Sequence, residues 1–147
     1  MGYRSQVTMV IVGPKDKMRA ELVSLKMNDA GIAEHVLDDK GLHIFEDGDD
    51  LVFYLTGDFK WYPDYIDVQA YTRVFEHFRG LYDDPDSPDA APDKYEGAFV
   101  RIGEEDDDIE TSYFGDDPYE LASVQRGIYS LYDGRNAPDI RAGFSQA

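Results

Sequence analysis

The chain contains no cysteine, which removes disulfides, a thiolate nucleophile and cysteine-ligated zinc from consideration and suits a reducing compartment. It also lacks a long apolar segment. The short run from Val7 to Val12, preceded by a lone Arg4 and followed by no small-residue cleavage site, reads as neither a secretion signal nor a membrane span. Cations are scarce, at 14 lysines and arginines against 31 acids, and there are only three histidines and one tryptophan. Catalytic templates are missing too: there is no glycine-rich phosphate loop, no glycine-flanked nucleophilic serine and no helix carrying paired histidines. The expectation from these absences is a soluble, cytoplasmic protein without a catalytic signature or cofactor.

What is present is negative charge, unevenly placed. Residues 1–40 are neutral, so the whole net charge of −17 lies beyond them, and the 38 residues from Asp83 to Glu120 hold 15 acids against Lys94 and Arg101. Such a field repels phosphate backbones and anionic lipid headgroups and attracts basic protein surfaces and cations. Direct binding to nucleic acid or membrane is therefore not expected. The aromatic share of 14% argues against disorder despite the charge.

The apolar pattern places one domain over residues 1–133 and a loosely held tail over 134–147. Val7–Val12 alternates with apolar residues on both faces, the pattern of a central strand covered on at least one side by helix. Pro14, with Met18, Leu22 and Leu25, predicts an amphipathic helix over 14–29 that ends near Gly31. Leu42–Phe45 and Leu51–Leu55 flank a turn around Gly48 and read as a hairpin. Val68, Tyr71, Phe75, Phe78 and Tyr82 recur at three or four, predicting a helix over about 64–81 with an aromatic face. The proline-acid segment 83–93 reads as a mobile loop. Residues 97–102 and 109–114 read as a second hairpin with the acid run as its turn. Asp117-Pro118-Tyr119-Glu120 has a helix-start pattern, predicting a short helix to about Arg126, and 128–131 reads as a further strand. The order implies an α+β fold: an antiparallel sheet with two helices on one face, in the ferredoxin-like, split β-α-β arrangement, with an added C-terminal hairpin strand.

The acid run Glu104, Glu105, Asp106, Asp107, Asp108 and Glu110 is the best candidate for a site. Three readings apply to it: a solvated hairpin tip, a protein-binding surface, and a magnesium or calcium site using Asp106, Asp108 and Glu110. The spacing does not match an EF-hand. Tyr54, Trp61, Tyr62 and Tyr65 bracket the start of the second long helix, and tyrosine beside carboxylate, Tyr113 included, suits both core packing and a protein interface. Arg4 and Arg101 either pair with the acid turn or form an anion-binding pair. His35, His43 and His77 are scattered and read as structural.

Met1-Gly2-Tyr3-Arg4-Ser5, Lys60-Trp61-Tyr62, the segment Phe99 to Glu110 and Arg126-Gly127-Ile128 occur here in an order that resembles a group of small phage and prophage proteins beginning Gly-Tyr-Arg-Ser. The resemblance spans residues 1 to about 131, with 83–93 standing out as an insertion, and it implies viral origin without an activity. The leading expectation is an acidic protein that binds and blocks a basic host protein in the host cytoplasm, in one version by mimicking nucleic acid for host takeover or counter-defence. The alternative is a small magnesium- or calcium-dependent enzyme or metal-stabilised domain built on residues 104–110.

Overall fold

A computed structural model of the chain describes residues 4–83, 95–105, 107–116, 118–124, 128–134, 137–141 and 144. The proline-acid segment beyond Asp83, together with Asp106 and Asp117, therefore lies outside the described residues. The elements follow in the order β1 (Ser5–Pro14), α1 (Lys15–Asn28), α2 (Ala30–His35), β2 (Leu42–Asp47), β3 (Asp50–Phe59), α3 (Ile66–Asp83), β4 (Glu96–Ile102), β5 (Ile109–Phe114), β6 (Ser123–Val124) and β7 (Ile128–Tyr129). This is an α+β fold. Its main sheet is five-stranded and antiparallel, in the order β2-β3-β1-β4-β5.

Alternation along each strand divides the core into two layers. Val7, Met9 and Ile11 of β1, Leu51, Phe53 and Leu55 of β3, and Phe99 of β4 face the helices, where they meet Met18, Leu22, Ile32, Tyr71, Phe75 and Phe78. Val10, Val52, Tyr54, Ala98 and Val100 face the other way and are covered by Leu121, Ala122 and Tyr132. The expectation of cover on at least one side of β1 is met, and the second cover comes from the C-terminal segment. The hairpin between β2 and β3 turns at Gly48, whose φ of 62° lies in the left-handed region that glycine enters without a Cβ penalty.

Among the described residues there are three helices where the apolar periodicity predicts two. Asp29 is the reason. Its backbone N–H closes α1 on the carbonyl of Leu25, its side chain accepts from the N–H of Ile32 at 3.1 Å to start α2, and the same carboxylate takes two hydrogen bonds from Arg73 of α3, at 2.7 and 3.0 Å. One residue thus stops a helix, caps the next and ties both to the third. Gly31 lies inside α2 rather than ending α1. The Arg73 hydrogen bond is the main cause that holds the Asp29 carboxyl below its ordinary value, against a smaller opposing effect of burial.

The helix predicted from 117 to about 126 is absent among the described residues. Pro118 to Leu121 instead makes a turn closed by the Leu121 N–H on the Pro118 carbonyl at 3.0 Å, leading into β6, which pairs with β7 apart from the main sheet. Carbonyls that a helix would use internally are taken from outside: Leu121 accepts from the Ser130 hydroxyl and Ala122 from the Tyr113 hydroxyl. Past Gly134, the described residues lie against the sheet. The Ile140 N–H donates to the Ile44 carbonyl at 2.8 Å along the β2 edge, Arg141 donates to the Leu42 carbonyl at 3.1 Å, and Phe144 is 2% exposed among the helix-side core residues.

Candidate functional site

The described acids of the run, Glu104, Glu105, Asp107 and Asp108, lie in the turn between β4 and β5, as the pattern predicts. The turn closes through Gly103 N–H on the Asp108 carbonyl (2.7 Å) and Asp108 N–H on the Glu105 carbonyl (3.0 Å). Arg101 organises its β-strand side. Its guanidinium makes two hydrogen bonds to Asp108, at 2.6 and 3.1 Å, one to Glu110 at 3.0 Å and one to the buried Ser5 hydroxyl at 3.0 Å. The fork geometry suits a carboxylate and gives charge-assisted bonds. The Asp108 bond is the largest cause that raises the Arg101 pKa above the ordinary arginine value, with burial opposing it and Glu110 adding to it. The neighbouring strand supplies a second clamp, as the backbone N–H of Arg4 donates to Glu104 at 2.9 Å. β1 and β4 are adjacent, Gln6 opposite Ile102, which is what brings both arginines to the turn.

Of the anionic candidates, Glu104, Glu105, Asp107 and Glu110 are exposed, Asp108 is half-buried and Asp106 lies outside the described residues. The readings of this run separate on that geometry. Asp108 and Glu110 carry their charge against Arg101, so a divalent cation using both would have to displace the guanidinium. Glu105 and Asp107 are exposed at the tip.

Beside the turn runs a groove of about 400 Å³ lined by Trp61, Tyr62, Pro63, Val68, Thr72, Arg101, Asp108 and Glu110. It continues into a smaller recess of about 130 Å³, walled by Phe75, Glu76, Phe99 and Ser112 as well as Trp61 and Glu110. The chain is drawn into this position by the turn that starts α3: the Tyr65 N–H donates to the Tyr62 carbonyl at 3.0 Å and the Gln69 side chain to the Pro63 carbonyl at 3.2 Å. Trp61 is half-buried, its ring set against Phe99, Tyr71 and Phe59 at centroid distances of 5.7, 6.0 and 6.2 Å. Tyr62 and Tyr65 meet edge to face at 5.0 Å beside it. Aromatic and carboxylate groups therefore share one concave surface. Sequence reasoning marked both sets of residues but not their meeting; it named Val68 only as part of the apolar face of the helix and missed Thr72, one turn further on along the side of α3 that lines the groove.

Other candidates are not brought there. Tyr113 lies on the opposite face of β5 from Glu110, its ring tilted against Tyr119 at a centroid distance of 4.8 Å, and burial pushes its phenol above the ordinary value, with Tyr119 adding to the shift. Tyr54 also faces away from the helices, donating to Asp133 at 2.8 Å. The histidines sit on three separate elements: His77 is 2.7 Å from Glu21, His43 3.4 Å from Asp139 and His35 3.8 Å from Glu34. No helix among the described residues is long and apolar enough to cross a membrane. No protein-family profile, curated protein or solved structure matches the chain.

Proposed function

We propose that the chain is an acidic interaction protein whose hairpin tip and adjoining aromatic groove receive a basic protein surface. The observation that carries this reading is the groove lined jointly by Trp61, Tyr62 and Pro63 from one side and Asp108 and Glu110 from the other. Aromatic rings supply rigid contact area at low entropic cost, and the exposed acids Glu104, Glu105 and Asp107 select cations and speed their encounter. Arg101 supports the same reading, because it holds the turn so that binding need not order it. A basic host protein as target, and nucleic-acid mimicry or counter-defence as the purpose, rest on the charge and on the resemblance to phage proteins. The order β4-β1-β3-β2, with helices in both crossovers and β5 added at the edge, supports a ferredoxin-like reading of the fold. That arrangement carries no functional weight by itself.

The test compares two double variants that shift the net charge of −17 by the same four units. Glu105→Lys with Asp107→Lys alters the tip, and Glu34→Lys with Asp38→Lys alters exposed acids at α2 and the turn after it. Each is used with the parent to capture basic proteins from a host lysate, with circular dichroism as a check on the fold. Loss of capture by the tip variant alone supports the reading. Equal capture by the tip variant and the parent overturns it.

A further inference from the structure

The two edges of the main sheet are treated differently. At the β2 edge the C-terminal segment covers the strand: Ile140 donates to the Ile44 carbonyl, the Asp139 carboxylate accepts from the Ile44 N–H at 3.3 Å, and Arg141 donates to the Leu42 carbonyl. At the β5 edge, among the described residues, no hydrogen bond other than those of the β4 ladder reaches the main chain of Glu110–Phe114. Exposed edges are usually blunted by lysine, proline, a bulge or a covering segment. The β5 sequence, Ile-Glu-Thr-Ser-Tyr-Phe, has neither lysine nor proline, and it pairs without interruption from Ile102–Ile109 to Gly97–Phe114. It is therefore an uninterrupted six-residue template.

We propose that β5 receives an extended, basic segment of the partner protein as a sixth strand; this deepens the interaction reading given above and rests on it. Charge complementarity chooses the occupant. The helix side of the added strand would lie over the groove beside Glu110 and Glu76, where the nearby cations are already engaged, Arg101 by Asp108 and Glu110 and Arg79 by Glu76 and Ser112, so that the exposed acids of the tip set the sign of the surface. The tip acids stand at one end of the same strand. On the other side Ile109, 48% exposed, offers apolar surface with Thr111 and Tyr113 following at period two. A segment alternating lysine or arginine with β-branched residues satisfies both sides, its main chain supplying affinity and its alternate side chains the specificity. A second copy of this chain is disfavoured, since it would bring one net charge of −17 against another.

The probe is a blocked ten-residue peptide of alternating lysine and valine. Its counterpart, N-methylated at the four central residues, keeps every charge but loses two central main-chain donors toward either edge. Titrations of the intact protein follow Trp61 fluorescence, and amide hydrogen exchange reports on β5. The parent peptide is expected to bind, to slow exchange in Glu110–Phe114, and to exceed its N-methylated counterpart in affinity by about tenfold or more. Binding of the two peptides within about twofold, binding without added protection in β5, or no binding at low salt would each overturn strand addition. If the two peptides bind alike while Glu105→Lys with Asp107→Lys still abolishes partner capture, the acidic interaction surface stands and only the mode of docking falls.

Discussion

Replacing Arg101 by methionine keeps most of the apolar stem and removes the guanidinium that joins β1, β4 and β5. The side chain is only 15% exposed, and its main partner Asp108 is 31% exposed, so the pair lies between two limits. A fully exposed ion pair contributes about 0–1 kcal/mol, whereas breaking a fully buried one costs about 3–5 kcal/mol. Four hydrogen bonds disappear together, and the Ser5 hydroxyl, in a residue 2% exposed, loses its donor. Arg101→Met is therefore expected to cost about 2–3 kcal/mol, a fall in melting temperature of roughly 4–12 °C for a domain of this size. Asp108→Asn keeps the shape and one acceptor and should cost about 1–2 kcal/mol, in keeping with the loss of a charge-assisted bond. The double variant should be less damaged than the two single losses combined, by about 1–2 kcal/mol, since the second change removes a partner already lost. Urea unfolding followed by fluorescence of the single tryptophan, Trp61, measures all three variants. Additive single losses, or an Arg101→Met cost within about 0.5 kcal/mol of zero, would refute the view that this contact organises the turn.

Trp61→Ala should cost about 2–4 kcal/mol, near the low end for large aromatic deletions because the ring is half-buried and walls a groove; a loss under about 1 kcal/mol by urea titration would show that the ring does not support the core. Asp29→Asn should cost about 1 kcal/mol or more at neutral pH, from a weakened cap and a lost charge pair. Because the folded pKa of Asp29 is depressed, that contribution is present above the ordinary carboxylate value of 3.8 and is lost as pH falls through the lower folded value, so parent and variant should converge in acid. A gap that stays constant down to pH 2.5 would contradict this sign. Asp50 behaves oppositely: burial, then Asp47 and Asp49, raise its pKa, so ionisation disfavours the fold as pH rises through and above the ordinary carboxylate value of 3.8, and Asp50→Asn should raise the melting temperature at pH 7 but not at pH 3. Gly97→Ala places a methyl group against the Phe114 ring and should destabilise by about 1–3 kcal/mol in thermal melts, with partial recovery when Phe114 is shortened to leucine.

Local chemistry was sufficient for much of this protein. The apolar run of β1, the glycine turn between β2 and β3, and the aromatic period of α3 each arise from backbone preference and side-chain spacing within a few residues, and all are where the chain places them. The position of the acid run at the turn of a hairpin was legible for the same reason. Other features depend on partners distant in sequence. Asp29 makes a helix boundary partly because Arg73 is available to it, and the stretch after Pro118 turns rather than coils because Tyr113 and Ser130 take its carbonyls. Phe144 carries no periodic signal, yet packing against the helix-side core buries it. The candidate site shows the division most clearly: sequence determined that the hairpin tip is acidic, but only the adjacency of β1, β4 and β5 decided which acids are spent on Arg101 and which face outward. The same adjacency set residues 61–63 beside residues 108–110, a contact that no local rule encodes because its cost in chain entropy is repaid only when the whole sheet forms.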